Sequence, residues 1–255
     1  MAITLQGIEK KFPTKASAAW TPVLDHVDLA VPDGRIVALF GPNGCGKTTI
    51  LSIISGIEAP DAGTVSVTAN GSERPKVGFA FQNFRDVLLP WQSALDNVAF
   101  GLCARGLPRA EARQRAISFL DEQGFAIPRG NYAYQLSVGQ QQLVALARVL
   151  LPNPANVLLD EPFSALDHDA RLRMRDVTIS TLGKAGAAIV FVSHDVDEAL
   201  YVSDELYLLS KRPARILRRF AVPFQRPRHY DLLTTAEFAD LRRQIIGAFL
   251  AEVAT

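Results

Sequence analysis

Gly41-Pro42-Asn43-Gly44-Cys45-Gly46-Lys47-Thr48 fits the pattern G-x-x-x-x-G-K-[ST]. The apolar run Arg35–Phe40 precedes it, and a helical pattern follows that stops at Gly56, where a helix-ending glycine is expected. Strand, glycine-rich loop and helix in that order make a cradle for phosphate. The glycines let backbone N–H groups curl around phosphate oxygens without Cβ clashes. The helix N-terminus adds partial positive charge. Lys47 brings a full charge to the β- and γ-phosphates, and Thr48 offers a hydroxyl to Mg²⁺. The candidate nucleotide-binding set runs through Thr49.

Outward from the loop, short apolar runs alternate with longer helical patterns. Ile36–Phe40, Val77–Phe81, Val157–Leu159, Ala188–Val192 and Leu206–Leu209 are too short for ordinary helices and fit strands buried on both faces. Thr48–Ser55, Arg109–Gln123, Gly139–Leu151 and Ala170–Leu182 read as helices. Such alternation predicts an α/β fold with a largely parallel sheet. Ile3–Ile8, Val27–Val31 and Thr64–Thr68 alternate apolar and polar residues, near turn signals at Pro32-Asp33-Gly34 and Asn70-Gly71, and predict a smaller antiparallel sheet. Ala16–Ala19 reads as a loop.

Val157-Leu158-Leu159-Asp160-Glu161 is a strand ending in two acids. At the C-terminal end of a parallel strand such side chains point into the ligand crevice. Asp160 can hold Mg²⁺ through water, and Glu161 can polarise the water that attacks the γ-phosphate. Leu136-Ser137-Val138-Gly139-Gln140 opens a further helix with Ser137 as its N-cap, a second helix start suited to an anion.

These stretches, with Ser164-Ala165-Leu166-Asp167 and His194 in Phe191-Val192-Ser193-His194-Asp195, occur in an order and spacing that resembles the nucleotide-binding subunit of ATP-binding cassette (ABC) transporters over about residues 3–220. The resemblance implies a P-loop NTPase (RecA-like) parallel core, an N-terminal antiparallel β-subdomain, an inserted helical subdomain at about 90–150, and a C-terminal amphipathic helical extension over 221–255. It also implies two chains packed head to tail around two ATP molecules, with Ser137, Val138, Gly139 and Gln140 of one chain facing the nucleotide held by the other. In that scheme His194 hydrogen-bonds the γ-phosphate and shares catalysis with Glu161. Gln82 joins Thr48 and Asp160 around Mg²⁺, and Asp167 lies at the dimer seam. Phe12 matches the aromatic that stacks on adenine, with Trp20 as the substitute; the other reading of Phe12 is a core residue closing the small sheet.

Gln82-Asn83-Phe84 through Leu88-Leu89-Pro90-Trp91, and Asp197-Glu198-Ala199-Leu200-Tyr201, resemble the importer branch for nitrate, sulfonates and taurine. That implies a separate membrane permease, a solute-binding protein acting through it, and a peripheral position on the cytoplasmic face of the inner membrane. Leu88, Leu89 and Trp91 either dock a permease helix or pack the helical subdomain internally. The family pattern is broken at three points. Val138 stands where glycine is usual, which costs energy at positive φ and little in a helix. Leu143 replaces a common Arg, and Asn156 opens a strand that is usually apolar. A poorly hydrolysing regulatory cassette and a soluble non-transport ABC ATPase are the alternative readings.

Composition narrows the remainder. The 255 residues carry 27 Lys plus Arg against 26 Asp plus Glu, a balance that excludes a polyelectrolyte binder, and no nucleic-acid partner is expected. Two Cys exclude a disulfide scaffold and suit a reducing compartment. Residues 1–12 lack a basic start followed by an apolar stretch, so no secretory leader is expected. Cys45 in the loop reads as unexceptional, with a redox-sensitive thiol as the sharper alternative. Lys211–Arg228 carries seven positive charges without an acid, read as a strand pair with solvated, locally paired Arg, with a patch for nucleic acid or anionic lipid as the other reading. Thr234 and Glu237 have the spacing of a capping box for a last helix whose apolar face is Phe238, Leu241, Ile245, Phe249 and Val253.

Overall fold

The computed structural model describes residues 2–14, 20–69, 72–73, 77–184 and 186–254, so the Ala16–Ala19 loop and the Asn70-Gly71 turn lie outside the described residues. In chain order the elements are β1 (Ile3–Pro13), β2 (Trp20–Val31), β3 (Ile36–Phe40), α1 (Lys47–Ser55), β4 (Ala62–Ala69), β5 (Ser72–Glu73), β6 (Val77–Ala80), α2 (Phe84–Val87), α3 (Ala94–Cys103), α4 (Arg109–Glu122), α5 (Val138–Leu150), β7 (Asn156–Asp160), α6 (His168–Lys184), β8 (Ala188–Val192), α7 (Val196–Val202), β9 (Glu205–Leu209), β10 (Ile216–Ala221) and α8 (Ala236–Ala254). They fall into two compact units, Met1–Pro75 with Ala188–Thr255, and Lys76–Ala187.

The first unit holds two sheets. β3 lies parallel to both β8 and β9, and β10 closes the far side of β9 antiparallel. Every residue of β3 and β8 is buried, as continuous apolar runs require when both faces are covered. The smaller sheet is antiparallel in the order β2-β1-β4-β5. Ile3, Leu5 and Ile8 are buried and face Val31, Leu29 and Val27. The step from Leu5 to Ile8 breaks strict alternation: the register shifts there, Gly7 takes φ 58°, and its N–H donates to Asp28 Oδ1 at 2.7 Å. That bulge and two further register shifts bring Phe12 opposite Thr21 and Pro13 opposite Trp20.

The C-terminal extension packs on the same unit. Phe249 of α8 lies 5.3 Å, centroid to centroid, from Phe40 of β3, and Arg242 pairs with Asp197 of α7 at 2.7 Å. The cap of α8 is Thr235, whose hydroxyl accepts the Phe238 N–H at 3.3 Å. This corrects the Thr234–Glu237 capping box by one residue: Thr234 belongs to a preceding 3₁₀ turn and its hydroxyl donates to Asp231 O. Of the expected apolar face only Phe238 and Ile245 are buried, and Val253 is exposed. The basic segment is consumed locally. Arg215 pairs with Asp25 and Arg226 with Asp204. The buried Arg228 guanidinium donates to the carbonyls of Leu200, Tyr201 and Ser203 at the end of α7. Burial pushes the Arg228 pKa down to about 10.

The second unit pairs β6 parallel with β7 and surrounds them with helices; α3 packs against α4 and α5, and α5 against β6. Ser93 caps α3 by accepting the Asp96 N–H at 3.2 Å. Arg109 and Arg113 reach back to the Asp96 carboxylate. Burial alone would raise the Asp96 pKa, but the bonds from Ser93 and these two Arg hold it below the usual carboxylate range. No described helix is long and apolar enough to cross a membrane.

Candidate phosphate-binding and catalytic site

In the first unit, β3 delivers the chain into the Gly41–Thr48 loop and α1 receives it. Two close approaches favour glycine. A Cβ on Gly41 would sit 3.0 Å from the Leu209 carbonyl oxygen, and one on Gly46, at φ 129°, would sit 2.7 Å from Leu24 Cδ2. The loop is thus pressed against β9 and β2. Lys47 is 7% exposed, and its ammonium donates to the carbonyls of Gly41 at 2.8 Å and Pro42 at 2.9 Å. The first turn of α1 contains no acid and no capping side chain, so nothing on the helix itself offsets its positive end. Asn43, Gly44 and Thr48 are exposed, and Pro42 and Thr49 half-buried.

Cys45 is 1% exposed. Burial pushes its thiol pKa up, and the neighbouring Lys47 only partly offsets this. That is the opposite of a reactive thiolate, so the redox reading fails. With iodoacetamide under native conditions, the half-buried Cys103 is expected to be alkylated well before Cys45, as read by peptide mass spectrometry; equal rates would contradict the burial argument.

His194 is exposed between β8 and α7, and its neighbours hold it there. The buried Ser193 hydroxyl donates to the Glu198 carboxylate and accepts the Asp195 N–H at 3.0 Å. Asp195 caps α7 by accepting the N–H groups of Asp197 and Glu198. With the residues on both sides tied down, His194 is presented outward. The Asp195-x-x-Glu198 spacing was the available sign of this brace. Phe12 is half-buried with the Lys10 ammonium 5.0 Å from its ring centroid, and Trp20 beside it is 59% exposed.

In the second unit, β7 is buried throughout and ends on Asp160, itself 2% exposed. Glu161 follows at φ 47°, a left-handed conformation uncommon for a non-glycine residue. Asn156, the polar opening of β7, is fully buried. The α5 helix begins on the expected cap: Ser137 Oγ accepts the Gln140 N–H at 3.3 Å, and Gln140 Oε1 accepts the Ser137 N–H at 3.0 Å. Its first turn holds no acid. Val138 is the first helical residue and is absent from the positive-φ set. A β-branched residue therefore costs little there, and Val138→Gly is expected to change folding stability by less than about 0.5 kcal/mol, as for exposed sites generally. A clear gain in stability on chemical denaturation would show that the valine is a burden. Leu143 is half-buried on the same helix. A Cβ on Gly139 would meet Ala165 O and Leu166 Cδ2 at 3.6 Å, ordinary contact distances, so nothing among the described residues requires glycine.

Asp167 is exposed and its Oδ1 accepts the Ala170 N–H at 2.8 Å, capping α6. Gln82 is exposed at the end of β6. Leu88 is 5% exposed and Leu89 half-buried, while Trp91 is 71% exposed, so the apolar cluster splits between internal packing and surface. Sequence reasoning missed Asn97. Fully buried in α3, it accepts the Leu89 N–H at 2.8 Å and donates to the carbonyls of Leu89, Gln92 and Ser93, which shapes the loop carrying Trp91.

A sequence profile of the ABC transporter family matches residues 24–164. The chain is 39% identical to the taurine import ATP-binding protein TauB of Chromobacterium violaceum, over 98% of this chain and 97% of that protein. It is 38% identical to the Escherichia coli protein of the same name over 80% of each. A dimeric structure of a bacterial ABC transporter cassette matches 88% of this chain and 100% of its own, with a TM-score of 0.76 at 28% identity. A dimeric post-hydrolysis state of that cassette, bound to ADP and Pi, matches with a TM-score of 0.77. The phosphate loop, the acid-ended strand and the capped signature helix thus sit in the fold of these relatives, and the chain belongs to the ABC transporter family as one of its ATP-binding ATPase subunits.

Proposed function

We propose that this chain hydrolyses ATP to drive import of taurine or a closely related sulfonate. The near-full-length identity to a taurine import ATP-binding protein carries the reading. The cassette proper occupies residues 1–220, with 221–255 as an extension that braces α7 and β3. Two copies pair head to tail, as the dimeric state of the solved cassette supports. The subunit works at the cytoplasmic face of the membrane beneath a separate permease, which in turn meets a solute-binding protein. Trp91 and Leu89 make the permease contact, backed by Leu88 and held in place by Asn97.

Each residue has a chemical task. Gly41 to Thr49 cradle the phosphates of ATP, Lys47 neutralises them, and Phe12 or Trp20 takes the adenine face. Thr48, Gln82 and Asp160 offer a hydroxyl, an amide oxygen and a carboxylate, the hard oxygen donors that suit Mg²⁺. When bound, that ion would neutralise phosphate charge. Glu161 accepts the proton of the attacking water, and His194 orients the γ-phosphate. Ser137 and the first turn of α5 meet the triphosphate held by the second copy.

The test is uptake. Cells lacking taurine import should regain accumulation of labelled taurine when given this chain with its cognate permease and binding protein. They should lose it when Glu161 is replaced by Gln in an otherwise intact complex. Accumulation of a different solute class under these conditions would overturn the substrate reading.

A further inference from the structure

Gln142 lies two residues past the signature, in the body of α5, and is 3% exposed. A primary amide buried that deeply needs partners for its oxygen and its two N–H groups. Its side-chain partners come from one short turn, residues 161–165. Gln142 Oε1 accepts the Ala165 N–H at 2.9 Å. Gln142 Nε2 donates to the Glu161 carbonyl at 3.3 Å and approaches Ser164 Oγ at a long 3.5 Å. The turn carries its own bond from Ser164 N–H to the Glu161 carbonyl. Two donors therefore converge on the carbonyl of the residue whose backbone sits at φ 47°. A non-glycine residue holds that conformation only where its surroundings over-determine it.

We infer that Gln142 is a positioning residue: from the signature helix it fixes the backbone of Glu161 and so the direction of that carboxylate. The inference rests on the reading of Glu161 as the group that activates water. It also gives α5 two tasks about 7.5 Å apart along its axis, from the rise of five residues. Ser137 at its start serves the neighbour's nucleotide, and Gln142 serves its own chain's base.

The full-length chain tests this with three measurements: steady-state ATPase against ATP concentration, equilibrium MgATP affinity, and thermal unfolding. Gln142→Met keeps length and volume but makes no hydrogen bond. It is expected to lower kcat by about tenfold to a hundredfold, the usual consequence of a misplaced catalytic group, with KM and MgATP affinity unchanged. Gln142→Glu keeps the acceptor for Ala165 but, when ionised, cannot donate to the Glu161 carbonyl. Its activity relative to the unmodified protein should be low at pH 8 and recover toward pH 6, because a protonated carboxyl regains a donor. If the Met variant does not fold, the Glu variant carries the test. Unchanged kcat overturns the inference, as does a fall in MgATP affinity in step with kcat, or a relative activity of the Glu variant that is flat in pH. The Glu161→Gln variant separates the two levels. Near-normal turnover in it removes the underlying reading, whereas its inactivity beside an unaffected Gln142→Met variant removes only the inference.

Discussion

Lys47→Ala is expected to abolish tight ATP binding, with affinity for MgATP falling by two to three orders of magnitude or more in a fluorescence titration of the isolated chain. The ammonium is buried in the loop, where two bonds to the Gly41 and Pro42 carbonyls fix its position. A charge placed against a phosphate at an effective dielectric constant near 20 is worth about 4 kcal/mol at 4 Å, which is about three decades of affinity. Alanine removes that charge and the ammonium's bonds to both carbonyls, leaving Pro42 O with the Cys45 N–H at 3.3 Å, so the loop loses its positive centre and much of its internal brace. Arginine does not rescue. Its larger, planar head does not fit a position defined by two carbonyls of an eight-residue loop packed against Leu24 and Leu209. Thermal stability should fall much less than affinity, because α1 is anchored through Ile50, Leu51, Ile53 and Ile54, all buried. Undiminished affinity in the alanine variant would contradict the assignment of the loop.

The residues that carry this expectation were legible in the sequence because their chemistry is local. A loop of fixed spacing, a strand ending in Asp160-Glu161 and a Ser137 cap each depend on neighbours within a few positions, and the structure places all three on the expected elements. The buried strands were equally plain, since Ile36–Phe40 and Ala188–Val192 are unbroken apolar runs and both emerge with every residue buried. What escaped are features set by tertiary partners. Asn97 and Gln142 look like ordinary polar helix residues until the fold buries them against the 89–93 and 161–165 turns. The step to Thr235 as the cap of α8 follows from a 3₁₀ turn that single-residue spacing did not reveal. Leu88 and Trp91 read alike, as either docking or internal packing residues, yet one is inside and the other outside, on the loop that Asn97 ties. Glu161 is the sharpest case. The sequence marks it as an acid at a strand end, and only the structure shows its backbone at φ 47°.

That backbone makes Glu161→Gln the most discriminating substitution for the chemistry. The change replaces one carboxylate oxygen with an amide and leaves the chain length intact. The backbone carbonyl that accepts from Gln142 and Ser164 is untouched, so the turn should keep its shape. The phosphate-loop residues themselves are unchanged. Nucleotide binding is therefore expected to persist, while hydrolysis slows by about 10²–10⁴-fold, the usual contribution of a positioned general base. If ATP closes two copies together and hydrolysis releases them, blocking the chemical step should leave a dimer that survives size-exclusion chromatography in MgATP and dissociates when the nucleotide is removed. Single-turnover hydrolysis measures the first effect and the elution volume the second. Glu161→Asp gives the complementary measurement: the acid is kept but withdrawn by one methylene, so binding again persists and turnover falls through distance alone. Near-normal turnover in the Gln variant would show that another group accepts the proton. The same variant monomeric in MgATP, with binding intact, would break the link between bound triphosphate and pairing even if Glu161 is the base.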